Sequence, residues 1–487
     1  MRLYKKDGNT VQILSFPGED VEKGSYLLIE DHKANKIMIV QVVDIQFANV
    51  PGVMEELLRD PSTEDVVKGE DFDPLDITSH ILYIQDTRLL VCKIRGTIDE
   101  GKLILKNSWL PSRTHSTIKR LPTSSLVKLA EISRSLPINL GETEESSPLF
   151  IDACELDGRL NIVTGKKGTG KSYLSKLLVL GLIEYGATVV VLDLNGEYTN
   201  LGVSSDGERN QFYDRIHELV LGENFKVTLP QTDLFVMMKI LTYALELPGT
   251  SSREFRSIWR FLKEHDALSL HELGEAIKRW KCNQHVRDAL YSRYYTLLHS
   301  NFFTDNLAES LPLESLLDDA HNGGALIINL SNTSPVDRQI VVEYVLGKLQ
   351  ELLSQWKMRA VFLFAEEAHL YLRETYWDDI VTRMRHFGVF TTFVTNQPNT
   401  IKEDIYRQAD NVFLFNFINE HDLQIVSRAA KVDVETAISI VRDLPPYYCL
   451  ALGRVVKDFP IVVKVRPLDV KTMGQTRLFF TEKEQKQ

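Results

Sequence analysis

The strongest chemical signal in the chain is the run Gly165-Lys166-Lys167-Gly168-Thr169-Gly170-Lys171-Ser172. It matches GxxxxGK[ST] and lies between a short apolar run, LNIVTG, and a helical one, KSYLSKLLVLGLIEYG, which is the context a phosphate-binding loop needs. Glycines let backbone N–H groups curl around phosphate oxygens, and the N-terminus of the following helix favours negative charge. The expected nucleotide-binding set is Gly165, Lys167, Gly168, Thr169, Gly170, Lys171, Ser172 and Tyr173. Lys171 is expected to reach the β- and γ-phosphates of ATP, and the Ser172 hydroxyl to ligate Mg²⁺. The plain alternative is a glycine turn and nothing more.

Further polar residues stand where apolar runs end. VFLFAEEAH closes a buried strand with two carboxylates: Glu366 is expected on the metal side, through water, and Glu367 as the group that polarises an attacking water. Taken alone, the pair also suits a surface strand end. Asp193-Leu194-Asn195-Gly196-Glu197-Tyr198 follows the strand after the phosphate loop, where ligand sites of open α/β sheets gather. Asp193 and Glu197 are expected to orient the two acids, against the blander reading of a glycine turn with polar caps. Asn396, on a strand beside that of the phosphate loop, is placed to sense a γ-phosphate. Arg385, before the same strand, belongs at the far end of the sheet and is better placed to reach a neighbouring subunit's nucleotide. On spacing alone, a surface arginine is the commoner outcome.

The elements that must position these groups fall into two patterns. Residues 1–110 read as five or six short β-branched or aromatic strands, favouring a small β-barrel that is separable from the phosphate chemistry. It is interrupted at 51–79 by nine acidic residues against two basic ones, an expected exposed and mobile loop. Residues 111–150 are Pro- and Ser-punctuated and read as a linker. From 151 to 465 strands alternate with helices, an α/β core, with a helical subdomain inserted at about 209–318 and a polar tail at 466–487.

Composition excludes several classes. The net charge is -11, so a uniformly basic nucleic-acid coat is ruled out, although residues 101–140 hold seven basic side chains and one acidic. No run approaches the about 18 apolar residues of a membrane helix, so no membrane association is expected. The start MRLYKKDGNTVQ has no apolar signal core, and Cys92, Cys154, Cys282 and Cys449 are too dispersed for a zinc site. The expectation is a soluble, cytoplasmic protein. Residues 253–293 hold nine basic and six acidic side chains, with Arg253, Arg256, Arg260 and Lys263 at helical spacing. This is a candidate nucleic-acid contact or equally a solvated helix face.

GKKGTGKS, then DLNGEY, EEAH, RHFG and TNQP, in that order, resembles the HerA branch of the HerA/FtsK translocase family over about 150–465. The N-terminal strands resemble the HAS barrel that precedes the motor in those proteins. The resemblance implies a RecA-like P-loop ATPase domain that assembles as a homo-hexamer, moves double-stranded DNA through its pore, and works with a NurA-like nuclease. It also implies that Arg385 is the arginine finger; were Arg385 to prove dispensable, Arg383 is the next candidate. Two departures stand out. Thr395-Asn396-Gln397-Pro398 replaces the family's TQRP, shortening the sensor by one methylene and removing a cation, and Lys166 and Lys167 add charge to the loop. The functional expectation is an ATP-driven DNA translocase or helicase in end processing or anti-phage defence. The alternative is an ATP-binding ring scaffold that regulates a partner enzyme.

Overall fold

The computed structural model describes residues 1–48, 86–104, 109–132, 135–371, 385–417, 419–429 and 434–471. The acidic segment 51–79, Arg383 and the end of the tail lie outside them. The chain forms two compact units: residues 1–134, 140–151 and 413–465 make the first, and 135–139, 152–412 and 466 onward the second.

The first unit opens with strands β1 (Arg2–Asp7), β2 (Thr10–Ser15), β3 (Tyr26–Asp31), β4 (Lys36–Phe47), β5 (Arg88–Asp99), β6 (Lys102–Ile104) and β7 (Ser116–Leu121). They form an antiparallel sheet in the order β1-β2-β5-β4-β3-β7, with β6 on β5. Register shifts in β4 against β5, after Ile39 and after Val42, add twist that curls the sheet. The end strands β1 and β7 come into contact without sharing a ladder, so the small barrel is open at that seam. Alternation does the rest: Val11, Ile13, Leu27, Ile29, Met38, Val40, Leu90 and Cys92 point into one core.

Residues 111–150, expected as a linker, carry regular structure. β7 pairs with β3 from Tyr26↔Leu121 to Asp31↔Ser116, helix α1 (Thr123–Leu129) follows, and then β8 (Pro137–Glu142) and β9 (Pro148–Asp152). As STIKRL, β7 reads as polar because it is an edge strand whose Lys119 faces water and pairs with Glu30 at 2.9 Å.

The barrel is also less separable than its strand pattern suggests. Residues 413–465 return to this unit with strands Tyr448–Gly453 and Ile461–Val465, and the Pro460 carbonyl accepts from Tyr26 Oη (2.8 Å) and Gln41 Nε2 (3.0 Å). Phe459, fully buried, packs with Tyr26, Ile39, Leu121 and Leu126. Removing residues 1–110 therefore strips the partners of a distant segment. Phe459→Ala is expected to lower the stability of this unit by about 3–5 kcal/mol, seen as a lower urea midpoint. A midpoint equal to wild type would show the contact to be dispensable.

The second unit holds β10 (Asn161–Thr164), helix α2 (Lys171–Glu184), β11 (Thr188–Asp193) and β12 (Ile216–Val220). Helices α3 (Leu234–Lys239), α4 (Gly249–Glu264), α5 (Leu270–Arg279), α6 (Gln284–His299) and α7 (Leu313–Asp319) come next, then β13 (Gly324–Asn329), α8 (Pro335–Ser354), β14 (Val361–Glu366) and β15 (Val389–Thr395). Its sheet is parallel, in the order β12-β13-β11-β14-β15-β10. β11 and β14 are buried along their whole length and β13 up to its last residue, which is why they read as apolar runs. The inserted helices begin later than expected, since Ile216–Val220 is a strand at the sheet edge rather than helix. Among the described residues, no helix is long and apolar enough to cross a membrane.

Candidate functional site

Register brings the chemistry to one edge. Thr164 pairs with Thr395 across β10 and β15, Glu366 with Val394 across β14 and β15, and Asp193 lies one residue beyond the Leu192↔Ala365 pair of β11 and β14. The phosphate loop, both glutamates, Thr395, Asn396 and Asp193 therefore share the carboxyl edge of four strands, where α/β sheets bind ligands.

The loop itself is shaped by left-handed glycines. Gly168 (φ 79°) and Gly170 (φ 113°), the residue that opens α2, hold conformations that side chains resist. Thr169 Oγ1 donates to the Lys166 carbonyl at 2.7 Å, and Lys171 Nζ folds back onto the same carbonyl at 3.1 Å. Lys171 is buried, and burial lowers its pKa against the opposing pull of Glu367, Glu366 and Glu197. Its ammonium thus stands among carboxylates, close to the helix terminus where a phosphate would sit.

The two glutamates differ sharply. Glu366 is 2 % exposed, with Oε1 buried and without a hydrogen-bond partner, and burial, then Glu197 and Asp193, push its pKa well up. Glu367 takes a left-handed backbone (φ 46°, ψ 43°) that is costly for a residue with a Cβ. Its Oε2 accepts from Thr395 Oγ1 at 3.2 Å and from the Asn396 N–H at 3.3 Å, and His369 Nδ1 lies 3.6 Å away. Burial lowers the His369 pKa, so that ring is neutral near pH 7.

Asp193 is fully buried and spends its carboxylate on the turn after β11: Oδ1 accepts from the Glu197 N–H at 3.0 Å and Oδ2 from the Tyr198 N–H at 2.8 Å. Burial outweighs these bonds and raises its pKa to about 6. The bland reading of this motif, a capped glycine turn, thus describes what Asp193 touches. Glu197 acts on Glu366 through charge, raising its pKa.

Three further residues of the site escaped the sequence. Thr395 holds the Glu367 carboxylate and His369 flanks it. Lys176, only 2 % exposed one turn into α2, lies 5.8 Å and 5.7 Å from the ring centres of Tyr173 and Tyr198, facing the charges of Glu197, Glu366 and Asp193. The signal for Lys176 was a lysine amid an otherwise apolar stretch of helix.

Arg385 stands at the opposite edge, in the short turn before β15. Its Nε donates to the Gly158 carbonyl at 2.9 Å and its guanidinium pairs with Asp410 at 3.0 Å. The sequence expected it away from its own phosphate loop, and that is where it lies.

A Mg²⁺ ion needs only one or two protein ligands when phosphates and water supply the rest. No group of three or more His, Cys, Asp or Glu converges in ligating geometry among the described residues. Ser172 beside the loop and the orphaned buried oxygen of Glu366 fit that sparse arrangement.

A phosphate loop between β10 and α2, with paired carboxylates on a strand two places away, defines a P-loop ATPase of RecA-like architecture. Residues 138–349 match the family described as the central domain of helicase HerA. A probable helicase of Methanocaldococcus jannaschii is 23% identical over 451 residues, covering 87% of this chain and 82% of its own. The DNA double-strand break repair helicase HerA of Saccharolobus solfataricus is 21% identical over 333 residues, 63% of this chain and 64% of its own. Among solved structures, the bacterial conjugative coupling protein TrwB, in complex with sulphate, shares the fold with a TM-score of 0.50 at 14% identity, over 70% of this chain and 92% of its own. Residues 138–349 are thus similar to the central domain of helicase HerA, and the phosphate loop with its paired carboxylates makes the chain an ATPase of the P-loop class.

Proposed function

We propose that the protein moves double-stranded DNA as a homo-hexameric ring, driven by ATP with Mg²⁺, and feeds a NurA-like nuclease or another effector in DNA end processing or antiviral defence. The observation that carries this reading is the shared carboxyl edge that brings the phosphate loop with Lys171 and the strand end with Glu367 together, where one phosphate chain would lie between them. In this reading the loop N–H groups of 165–173 and Lys171 hold the β- and γ-phosphates, and Glu367 accepts the proton of the attacking water. Thr395 and the Asn396 N–H fix the rotamer of that carboxylate, while the Asn396 side chain senses the γ-phosphate. Asp193 and Glu197 orient Glu366 by fixing the turn and the local charge. Ser172 and, through water, Glu366 would hold Mg²⁺, which supplies charge neutralisation at the phosphates when bound.

The direct test is Lys171→Ala, which removes the counter-charge and leaves the loop glycines intact. ATP affinity should fall about a hundred-fold or more, measured by titration with a fluorescent ATP analogue. Wild-type affinity would end the phosphate-loop reading. A second reading, an ATP-binding ring scaffold that holds shape for a partner enzyme, is favoured by one observation: Asn396 meets Glu367 through its backbone N–H, and its side chain is one methylene shorter than the family's glutamine. Full support of the partner by a non-hydrolysable ATP analogue would select it over the translocase.

A further inference from the structure

The helical subdomain carries charge that the other described residues do not use. Helix α4 buries Phe255, Ile258, Trp259 and Leu262. Arg253, Arg256 and Arg260 are exposed, and at about 100° per residue they fall within an arc of about 60°, on the side away from those apolar residues. Among the described residues none of the three side chains has a hydrogen bond, ion pair or ring contact. Other arginines of the same subdomain are occupied: Arg279 by Glu275, Arg287 by the Trp280 carbonyl, and Arg293 by the carbonyls of Leu245 and Glu246.

The acids nearby do not cancel the stripe. Glu254 is turned onto Trp280 Nε1 at 2.9 Å, while Glu264 sits exposed at the far end of the helix. Lys263 continues the line but shares a cavity wall with Asp266, so the argument rests on the three arginines.

Their spacing suits a regular polyanion. From Arg253 to Arg260 the helix rises about 10 Å, and one strand of duplex DNA carries a phosphate about every 3.4 Å of its axis, so three guanidinium groups face about three phosphates. The planar fork of arginine matches phosphate oxygens in pairs. The net charge of -11 repels DNA from the chain at large, which confines favourable contact to such local faces.

We propose that the Arg253, Arg256 and Arg260 face of α4 grips the phosphate backbone of double-stranded DNA, which rests on the translocase reading above. The test uses the full chain with R253Q, R256Q and R260Q combined, and a fluorescent duplex titrated over a salt series. The slope of log K against log salt should fall by about 2 to 3 relative to wild type, at about 0.9 per lost phosphate contact. The triple arginine-to-lysine variant should keep most of the slope, and Arg256→Gln alone should lose about 0.9. ATP affinity and DNA-free hydrolysis should stay at wild-type values. If wild type binds duplex and the triple glutamine variant keeps its slope, the face is no DNA contact and the translocase reading stands. An unchanged slope with loss of a protein partner would assign the face to that partner instead. If wild type binds no duplex at any salt, both readings fall.

Discussion

Glu367→Gln should bind ATP with wild-type affinity and hydrolyse it about 10²- to 10⁴-fold more slowly, the range a positioned general base contributes. The substitution is nearly isosteric. A glutamine carbonyl can still accept from Thr395 Oγ1 and the Asn396 N–H, so the local geometry survives while the capacity to take a proton is lost. Single-turnover measurement with bound ATP separates this from a binding defect. The choice of Glu367 over Glu366 rests on their surroundings. Glu366 is buried among other acids that disfavour its charge, whereas Glu367 is held by two donors. If Glu366→Gln traps ATP and Glu367→Gln does not, the two carboxylates have the reverse roles.

Arg385→Ala should keep ATP binding and assembly yet lose about a thousand-fold or more in hydrolysis, the effect of a missing arginine finger. Within one chain, Arg385 lies at the start of β15, while the phosphate loop borders the end of β10 in the same parallel sheet, so it cannot serve its own nucleotide. In the head-to-tail ring proposed above, it would face the next subunit. Its pairing with Asp410 and the Gly158 carbonyl would have to loosen when that neighbour binds. Mixing Arg385→Ala with Glu367→Gln protein should recover part of the activity, because some interfaces then hold both groups. Damage confined to folding would give no such recovery. Mixed rings without recovery would exclude action in trans, and full activity of Arg385→Ala alone would pass the role to Arg383.

Much of the site was legible because its signals are local. The phosphate loop needs only consecutive residues between a strand and a helix, and Glu366-Glu367 need only the end of an apolar strand. Register, by contrast, is a long-range property. Nothing within TNQP says that Thr395 reaches Glu367 while Asn396 offers its backbone, because that depends on how β15 lies against β14. Lys176 stands out only as a lysine in an apolar stretch, and its part in the site is not legible there, since its acidic neighbours and Tyr198 come from other elements. The linker assignment failed where β7, polar on its exposed side, joined the barrel edge. The return of Phe459 and Pro460 to the first unit follows from tertiary packing across more than four hundred residues, which no pattern in a short window records.

The left-handed backbone at Glu367 sets robustness against turnover. A side chain with a Cβ costs about 1–2 kcal/mol there, and glycine would relieve it. Between the two variants that lack the carboxylate, Glu367→Gly should therefore melt above Glu367→Ala, reversing the usual order in which alanine is the more stable. That difference would measure how much thermal tolerance the chain forgoes to aim one carboxylate. It also marks residue 367 as a position where selection for heat resistance alone would drift toward losing the proposed general base.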